Sequence, residues 1–144
     1  MSPAVFASVD DLLDAARATL RRLSPDDARD AVRRGARLVD IRPAWQRERD
    51  GEIPGALIVE RNHLEWRLHP ASEARLPLAD TTERWIVYCT EGYTSSLAAA
   101  SLVSLGIDAT DVVGGIEAWK RAGHPVVRGA TGPTPIEQLV AEAD

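Results

Sequence analysis

Trp85-Ile86-Val87-Tyr88-Cys89-Thr90-Glu91-Gly92-Tyr93-Thr94-Ser95-Ser96 is the stretch whose reading decides the fold. Its first residues are aromatic or β-branched and read as a buried strand that ends at cysteine. The alanines and leucines from Thr94 to Leu105 read as a helix, so strand and helix are joined by a tight loop. In such a loop successive backbone N–H groups point inward and the helix N-terminus adds positive potential, which stabilises an anion at the centre. A cysteine there is held as a thiolate or persulfide anion. Gly92 permits a backbone conformation closed to other residues, and the hydroxyls of Thr94, Ser95 and Ser96 can cap the helix or donate to sulfur. Cys89 also reads as a small apolar residue at a strand end, since free cysteines are among the most buried types; spacing alone leaves both readings open.

Working outward, strand-like and helical segments alternate. Ala36 to Ile41, Ala56 to Glu60, Arg84 to Cys89 and Ala109 to Val113 read as strands. Trp45 to Asp50, Asn62 to His69, Thr94 to Leu105 and Ile116 to Ala122 read as helices. Two more helices precede them: Ser8 to Leu20, with Ser8 as N-cap and Asp11 at the third helical position, and Pro25 to Arg34, with Ser24 as cap and Gly35 as stop. Alternation of this kind predicts an α/β fold with a mostly parallel sheet and helices on both faces, because parallel strands need crossover connections. Arg128 to Pro135 reads as a linker before a short helical end, Ile136 to Asp144. The charged run Arg47 to Asp50 reads as a solvated face.

The 144 residues suit one domain with short extensions, and 44% hydrophobic with 27% charged residues is ordinary for a globular chain. A net charge of -5 gives no basic field for nucleic acid. No apolar run approaches a membrane span and no signal sequence is evident, so the expectation is a cytoplasmic protein with neither membrane nor nucleic-acid partner. One cysteine allows no internal disulfide, redox pair or zinc ribbon. His63, His69 and His124 lack metal-ligand spacing, so no metal is expected. Trp45, Trp66, Trp85 and Trp119 are scattered through the elements and read as packing.

Three segments together resemble the rhodanese-like sulfurtransferase family. Cys89 to Ser95 is similar to the family's six-residue active-site loop, which starts at the catalytic cysteine and has glycine three positions later. Leu38-Val39-Asp40-Ile41-Arg42 with Gly51-Glu52-Ile53-Pro54-Gly55-Ala56 resembles its first motif, and Gly114-Gly115-Ile116-Glu117-Ala118-Trp119 with Gly123-His124-Pro125-Val126 its last. The resemblance spans about residues 22 to 127 and divides the chain into an N-terminal helical extension (1–21), the domain (22–128) and a tail (129–144). It implies a five-stranded, mostly parallel sheet with helices on both faces and a cleft where the cysteine loop meets its C-terminal edge. It also implies that Cys89 takes sulfur from a sulfane donor as a persulfide and passes it to a thiophilic acceptor, a small molecule or a protein, with no metal or organic cofactor. The amides of Thr90, Glu91, Gly92, Tyr93, Thr94 and Ser95 would cradle the outer sulfur. Asp40 and Arg42 would form an ion pair supporting the loop.

Departures from the pattern sharpen these expectations. Many single-domain members have arginine where this chain has Thr94; some thiosulfate-specialised members also have threonine there, with basic residues at the positions of Thr90 and Glu91. A carboxylate disfavours a doubly charged donor by about 1 kcal/mol at a few ångströms, which points to weak thiosulfate activity. Arg61, after the second strand, is a candidate for the missing positive charge, although strand-end arginines are also commonly ordinary surface residues. Glu52 stands where the family commonly has histidine and receives no role. Two rival functions remain. Phosphatases of related fold use a loop one residue longer that ends in a phosphate-clamping arginine, and none occurs here between Cys89 and Arg121. A binding or sensor module that keeps the fold but uses the cysteine little is the other.

Overall fold

Two serine caps start the chain's folding pattern. The Ser8 side chain accepts from the Asp11 amide at 3.0 Å and opens α1 (Val9–Arg17); Ser24 accepts from Asp27 at 3.1 Å and opens α2 (Pro25–Arg33). The computed structural model describes residues 5–80, 82–129 and 131–132. After α2 come β1 (Arg37–Asp40), α3 (Ala44–Asp50), β2 (Leu57–Ile58), a 3-10 turn (Arg61–His63), α4 (Leu64–Leu68), β3 (Trp85–Tyr88), α5 (Thr94–Ser104), β4 (Ala109–Asp111) and α6 (Gly115–Arg121). The segment read as one helix from Asn62 to His69 is therefore a 3-10 turn running into a short α-helix. Ala130 and residues 133–144, which include half of the expected linker and the whole helical end from Ile136, lie outside the described residues.

The sheet is parallel in the order β2-β1-β3-β4, with Asp40 opposite both Ile58 and Tyr88, and Val87 opposite Asp111. A fifth element is reduced to one residue. Leu23 forms a parallel bridge with Val112, donating to the Asp111 carbonyl at 3.0 Å and accepting from Val113 at 2.8 Å. It goes no further because Ser24 and Pro25 already begin α2, and proline has no N–H for a ladder.

Alternation along the strands splits the core. Val39, Trp85, Val87, Cys89 and Ala109 share one cluster with Leu64, Leu68, Ala98, Ala99 and Leu102 of α4 and α5. Leu38, Ile86, Tyr88 and Val112 share the other with Ala28 of α2 and Ile116 and Trp119 of α6. Helix α1 packs on α5. Helices thus cover both faces, and Cys89 leaves the sheet on the α5 side. No described helix is long and apolar enough to cross a membrane.

Two surface assignments are corrected. Within Arg47 to Asp50, Glu48 and Arg49 are exposed but Arg47 is buried, because its guanidinium meets the buried Glu52 carboxylate at 2.7 Å. Trp45 and Trp66 are exposed rather than packed, and the Arg49 guanidinium lies 5.1 Å from the Trp45 ring centroid. Trp85 and Trp119 are core residues.

Glu52, which carried no role in the sequence, closes the far end of the domain. Its backbone pairs with Val127, and its carboxylate accepts from Arg47, from the Thr131 hydroxyl at 2.6 Å and from the Thr131 amide at 3.0 Å. Burial opposes its charge, but the Thr131 and Arg47 donors outweigh burial and hold the carboxyl below its ordinary 4.5. Stability from a depressed acid is present above the unfolded value and is lost as pH falls through the lower folded one. Glu52→Gln should therefore cost about 1.5 to 3 kcal/mol near neutrality, with the gap from the parent protein closing as pH drops below 4.5; urea denaturation across that range measures it.

Candidate active site

Strand β3 is fully buried, so its C-terminal end delivers Cys89 to the sheet edge with little freedom. Cys89 is itself buried, at 4% exposure. The chain then turns: Thr90 is half-buried, Glu91, Tyr93 and Thr94 are exposed, and Gly92, Ser95 and Ser96 are buried. The Gly92 N–H donates to Cys89 Sγ at 3.2 Å. A backbone amide thus already faces the sulfur.

The loop is gripped by its neighbours. The Cys89 carbonyl accepts from Ile116 N–H at 3.0 Å and the Thr90 carbonyl from Glu117 N–H at 3.1 Å, so the start of α6 satisfies the loop's outward carbonyls. This approach requires glycine. Gly115 has φ +59°, and a Cβ there would lie 2.5 Å from the Cys89 carbonyl oxygen and 2.6 Å from that of Thr90. Gly92 has φ +89°, and its Cβ would lie 2.8 Å from the Gly114 nitrogen. From the other side, the Thr90 hydroxyl donates to Gln46 of α3 at 3.1 Å.

The loop hydroxyls do not turn to sulfur. Ser95 and Ser96 both lie 2.8 Å from Asp111 Oδ2, and Tyr93, the residue before α5, makes no side-chain cap. The physical reason is the Asp111 carboxylate, fully buried at the end of β4, which demands donors. Arg22 supplies the counter-charge through Nε and Nη2, at 2.9 and 3.2 Å. Arg22 Nη2 also donates to the Gly92 carbonyl at 3.0 Å. Arg17, at the end of α1, donates to the same carbonyl at 2.8 Å and to Ser96 Oγ at 3.1 Å. Its guanidinium also lies 5.7 Å from the centroid of the Tyr93 ring.

Arg61, the candidate for the missing positive charge, has a partner of its own. Its guanidinium binds Glu65 at 2.8 and 3.0 Å, and Glu65 also accepts from Ser101 at 2.6 Å. Burial opposes the Glu65 charge, but the Ser101 and Arg61 contacts keep its carboxyl below the ordinary range. Arg61 thus makes an i,i+4 pair with Glu65, while among the described residues Arg17 and Arg22 hydrogen-bond the cysteine loop. Asp40 and Arg42 form a fully buried pair, at 3.0 and 2.7 Å, on the Tyr88 side of the sheet. Tyr88 donates to Asp40 at 2.8 Å, and Arg42 also binds the Gly51 carbonyl at 2.7 Å. Burial, reinforced by the Asp40 charge, pushes the Tyr88 phenol well above its ordinary value and keeps it a donor.

Sequence reasoning missed Asp111, Arg17 and Arg22. A carboxylate inside a strand read as buried was a signal that a cation must approach, because buried acids are almost always paired. No spacing rule identified the partner, which lies 89 positions away.

Comparison with known proteins agrees with this geometry. The profile of the rhodanese-like domain family matches residues 24–122, and the chain belongs to that family. A protein of unknown function from Rhodopseudomonas palustris, described as a possible tyrosine phosphatase, is similar at 31% identity and TM-score 0.77, over 88% of this chain and 98% of its own. A rhodanese-related protein from Thermoplasma volcanium matches at 24% identity and TM-score 0.61, over 74% of this chain and 97% of its own. A thiosulfate sulfurtransferase from Pseudomonas aeruginosa shares the fold at 24% identity and TM-score 0.61, over 84% of this chain and 25% of its own. Comparison with the curated proteins gives no match.

The close approach at Gly115 yields a direct test. Gly115→Ala should cost well over 1 kcal/mol, from the left-handed backbone and the clash. It should also loosen the loop enough to change the rate at which iodoacetamide alkylates Cys89; denaturation and mass spectrometry read the two effects.

Proposed function

We propose that the chain is a sulfurtransferase that carries sulfane sulfur as a persulfide on Cys89. The observation that carries this reading is the Gly92 amide directed at Cys89 Sγ, in a loop entering the N-terminus of α5. An anion on or beyond Sγ is favoured there by backbone dipoles alone, with no cofactor. The Cys89 thiolate attacks the outer sulfur of the donor and an S–S bond forms. With thiosulfate the donor's own S–S bond breaks and sulfite leaves with the electron pair; with a low-molecular-weight persulfide a thiolate leaves. The resulting persulfide gives its outer sulfur to a nucleophile such as cyanide or a thiol, small or on a protein, and the thiolate is regenerated. The amides of Thr90 to Ser95 hold the outer sulfur, while the Asp40–Arg42 pair supports the loop from the opposite side of the sheet. Arg61, bound to Glu65, is left without a part in this chemistry.

The donor is selected by charge. Glu91 is exposed on the loop and no basic side chain lies within it, which supports a persulfide over dianionic thiosulfate. A phosphatase reading is favoured only by the description of the Rhodopseudomonas palustris protein. The two arginines that reach the loop here are both occupied on the Gly92 carbonyl, not presented as a free fork for phosphate.

Reduced protein incubated with glutathione persulfide should gain one cyanide-labile sulfur atom by intact mass, and Cys89→Ser should gain none. No gain with either persulfide or thiosulfate would favour a binding module, and hydrolysis of p-nitrophenyl phosphate dependent on Cys89 would favour a phosphatase. Glu91→Gln should raise kcat/KM for thiosulfate about fivefold, as removal of about 1 kcal/mol of repulsion implies. The gain should shrink with added salt and be much smaller for the persulfide.

A further inference from the structure

Gly92 occupies two roles at once. Its N–H faces Cys89 Sγ, while its carbonyl is held by Arg17 at 2.8 Å and Arg22 at 3.0 Å. That carbonyl belongs to the next peptide unit, shared with the Tyr93 N–H. In a planar trans peptide the C=O and N–H point to opposite sides, and no described peptide is cis. With the carbonyl held on the arginine side, the Tyr93 N–H points to the opposite side of the peptide plane. A glycine at φ +89° does not fix this plane by itself, because glycine tolerates several backbone conformations. Ser96 holds it only weakly: its single hydroxyl proton is shared between Asp111 at 2.8 Å and the Gly92 carbonyl at 3.2 Å. The two guanidinium groups are the strong, charged donors. They also polarise the peptide and strengthen its N–H as a donor.

We propose that Arg17 and Arg22, both N-terminal to the segment matching the family, are positioning residues that set the Gly92–Tyr93 peptide so that its N–H completes the cradle around Cys89. The inference rests on Cys89 being the reacting group and makes the N-terminal extension part of the site. It also accounts for a loop without a basic side chain: positive charge arrives from behind, through a peptide bond. Arg22 is itself anchored by Asp111, which binds Ser95 and Ser96 of the first turn of α5. The same network thus sets the direction of the helix whose amides follow Tyr93. A merely structural alternative is that the arginines tether α1 to the domain.

Arg17 is the position to change, because Arg22 also neutralises a buried carboxylate. On the full chain, the pH dependence of Cys89 alkylation by iodoacetamide reads the stabilisation of the thiolate without needing sulfur transfer. In parallel, loading of cyanide-labile sulfur from glutathione persulfide reads the reaction, and thermal denaturation reads tethering. Arg17→Ala should raise the alkylation midpoint by about half a pH unit and slow loading about tenfold, with Arg17→Lys restoring most of both. Arg21→Ala, which removes an exposed charge from the same segment, should leave both unchanged. Arg17→Gln keeps the bulk without the charge and carries the test if Arg17→Ala does not fold. A variant with a lowered melting temperature but the parent's midpoint and loading rate would overturn the proposal in favour of tethering. A midpoint that shifts as described in a protein that takes up no sulfur would support positioning and refute the sulfur-transfer reading.

Discussion

The fully buried carboxylate of Asp111 is the constraint on which the rest of the site depends. An unpaired charge at that depth costs several kcal/mol, so the fold must bring donors to it. They come from two places in the chain: Arg22 before the first strand, and Ser95 and Ser96 at the start of α5. β4, the first turn of α5 and the N-terminal segment are thereby fixed to one another. The cysteine loop lies between them and inherits their geometry. Loss of the serine hydroxyls as sulfur donors is the consequence of this arrangement, since a charged acceptor at 2.8 Å outcompetes a more distant thiol for a single proton.

Two helix N-termini meet the loop and are used in opposite ways. The first amides of α6 are spent on the Cys89 and Thr90 carbonyls, which would otherwise be buried without partners. The Gly92 amide, in the loop that leads into α5, faces the sulfur. This division depends on Gly114 and Gly115, both in the left-handed region, where a Cβ on Gly115 would strike two carbonyl oxygens. The glycine pair in the sequence therefore supports the cysteine loop: it lets one helix take the loop's carbonyls while the Gly92 amide faces Sγ.

Much of this was legible in the residues. Runs of β-branched and aromatic residues and the serine caps located the strands and the first two helices, because strand preference and capping act locally. The fifth strand shrank to Leu23 because the cap at Ser24 and the proline after it competed for the same residues. Cys89 and Gly92 were legible because a strand, a tight turn and a helix leave few alternatives for backbone direction. What escaped was long-range charge pairing. Arg47 looks solvated in a run of charges and is buried against Glu52; Arg61 looks free and is bound to Glu65; Arg17 looks like the polar end of an amphipathic helix and reaches Gly92. An arginine side chain spans several ångströms and its partner is chosen by tertiary placement, which no spacing rule encodes.

The charges around the loop act on different quantities. Arg17 and Arg22 touch the carbonyl side of the Gly92–Tyr93 peptide, so their influence reaches sulfur through a hydrogen-bonded dipole. That influence is the same for any donor, because it acts on Cys89 before a donor arrives. Glu91 stands exposed on the loop and acts on whatever approaches, in proportion to the approaching charge. On the proposed sulfur-transfer reading, a solvent-screened carboxylate discriminates the thiosulfate dianion from a protonated persulfide whose reacting sulfur is uncharged, by an amount that salt erodes, whereas buried hydrogen bonds are barely screened. On the proposed reading, reactivity of the cysteine and choice of donor are thus set by separate groups, one set behind the loop and one in front of it. A cysteine loop stripped of basic side chains therefore keeps an anion-stabilising site while losing its pull on small dianions.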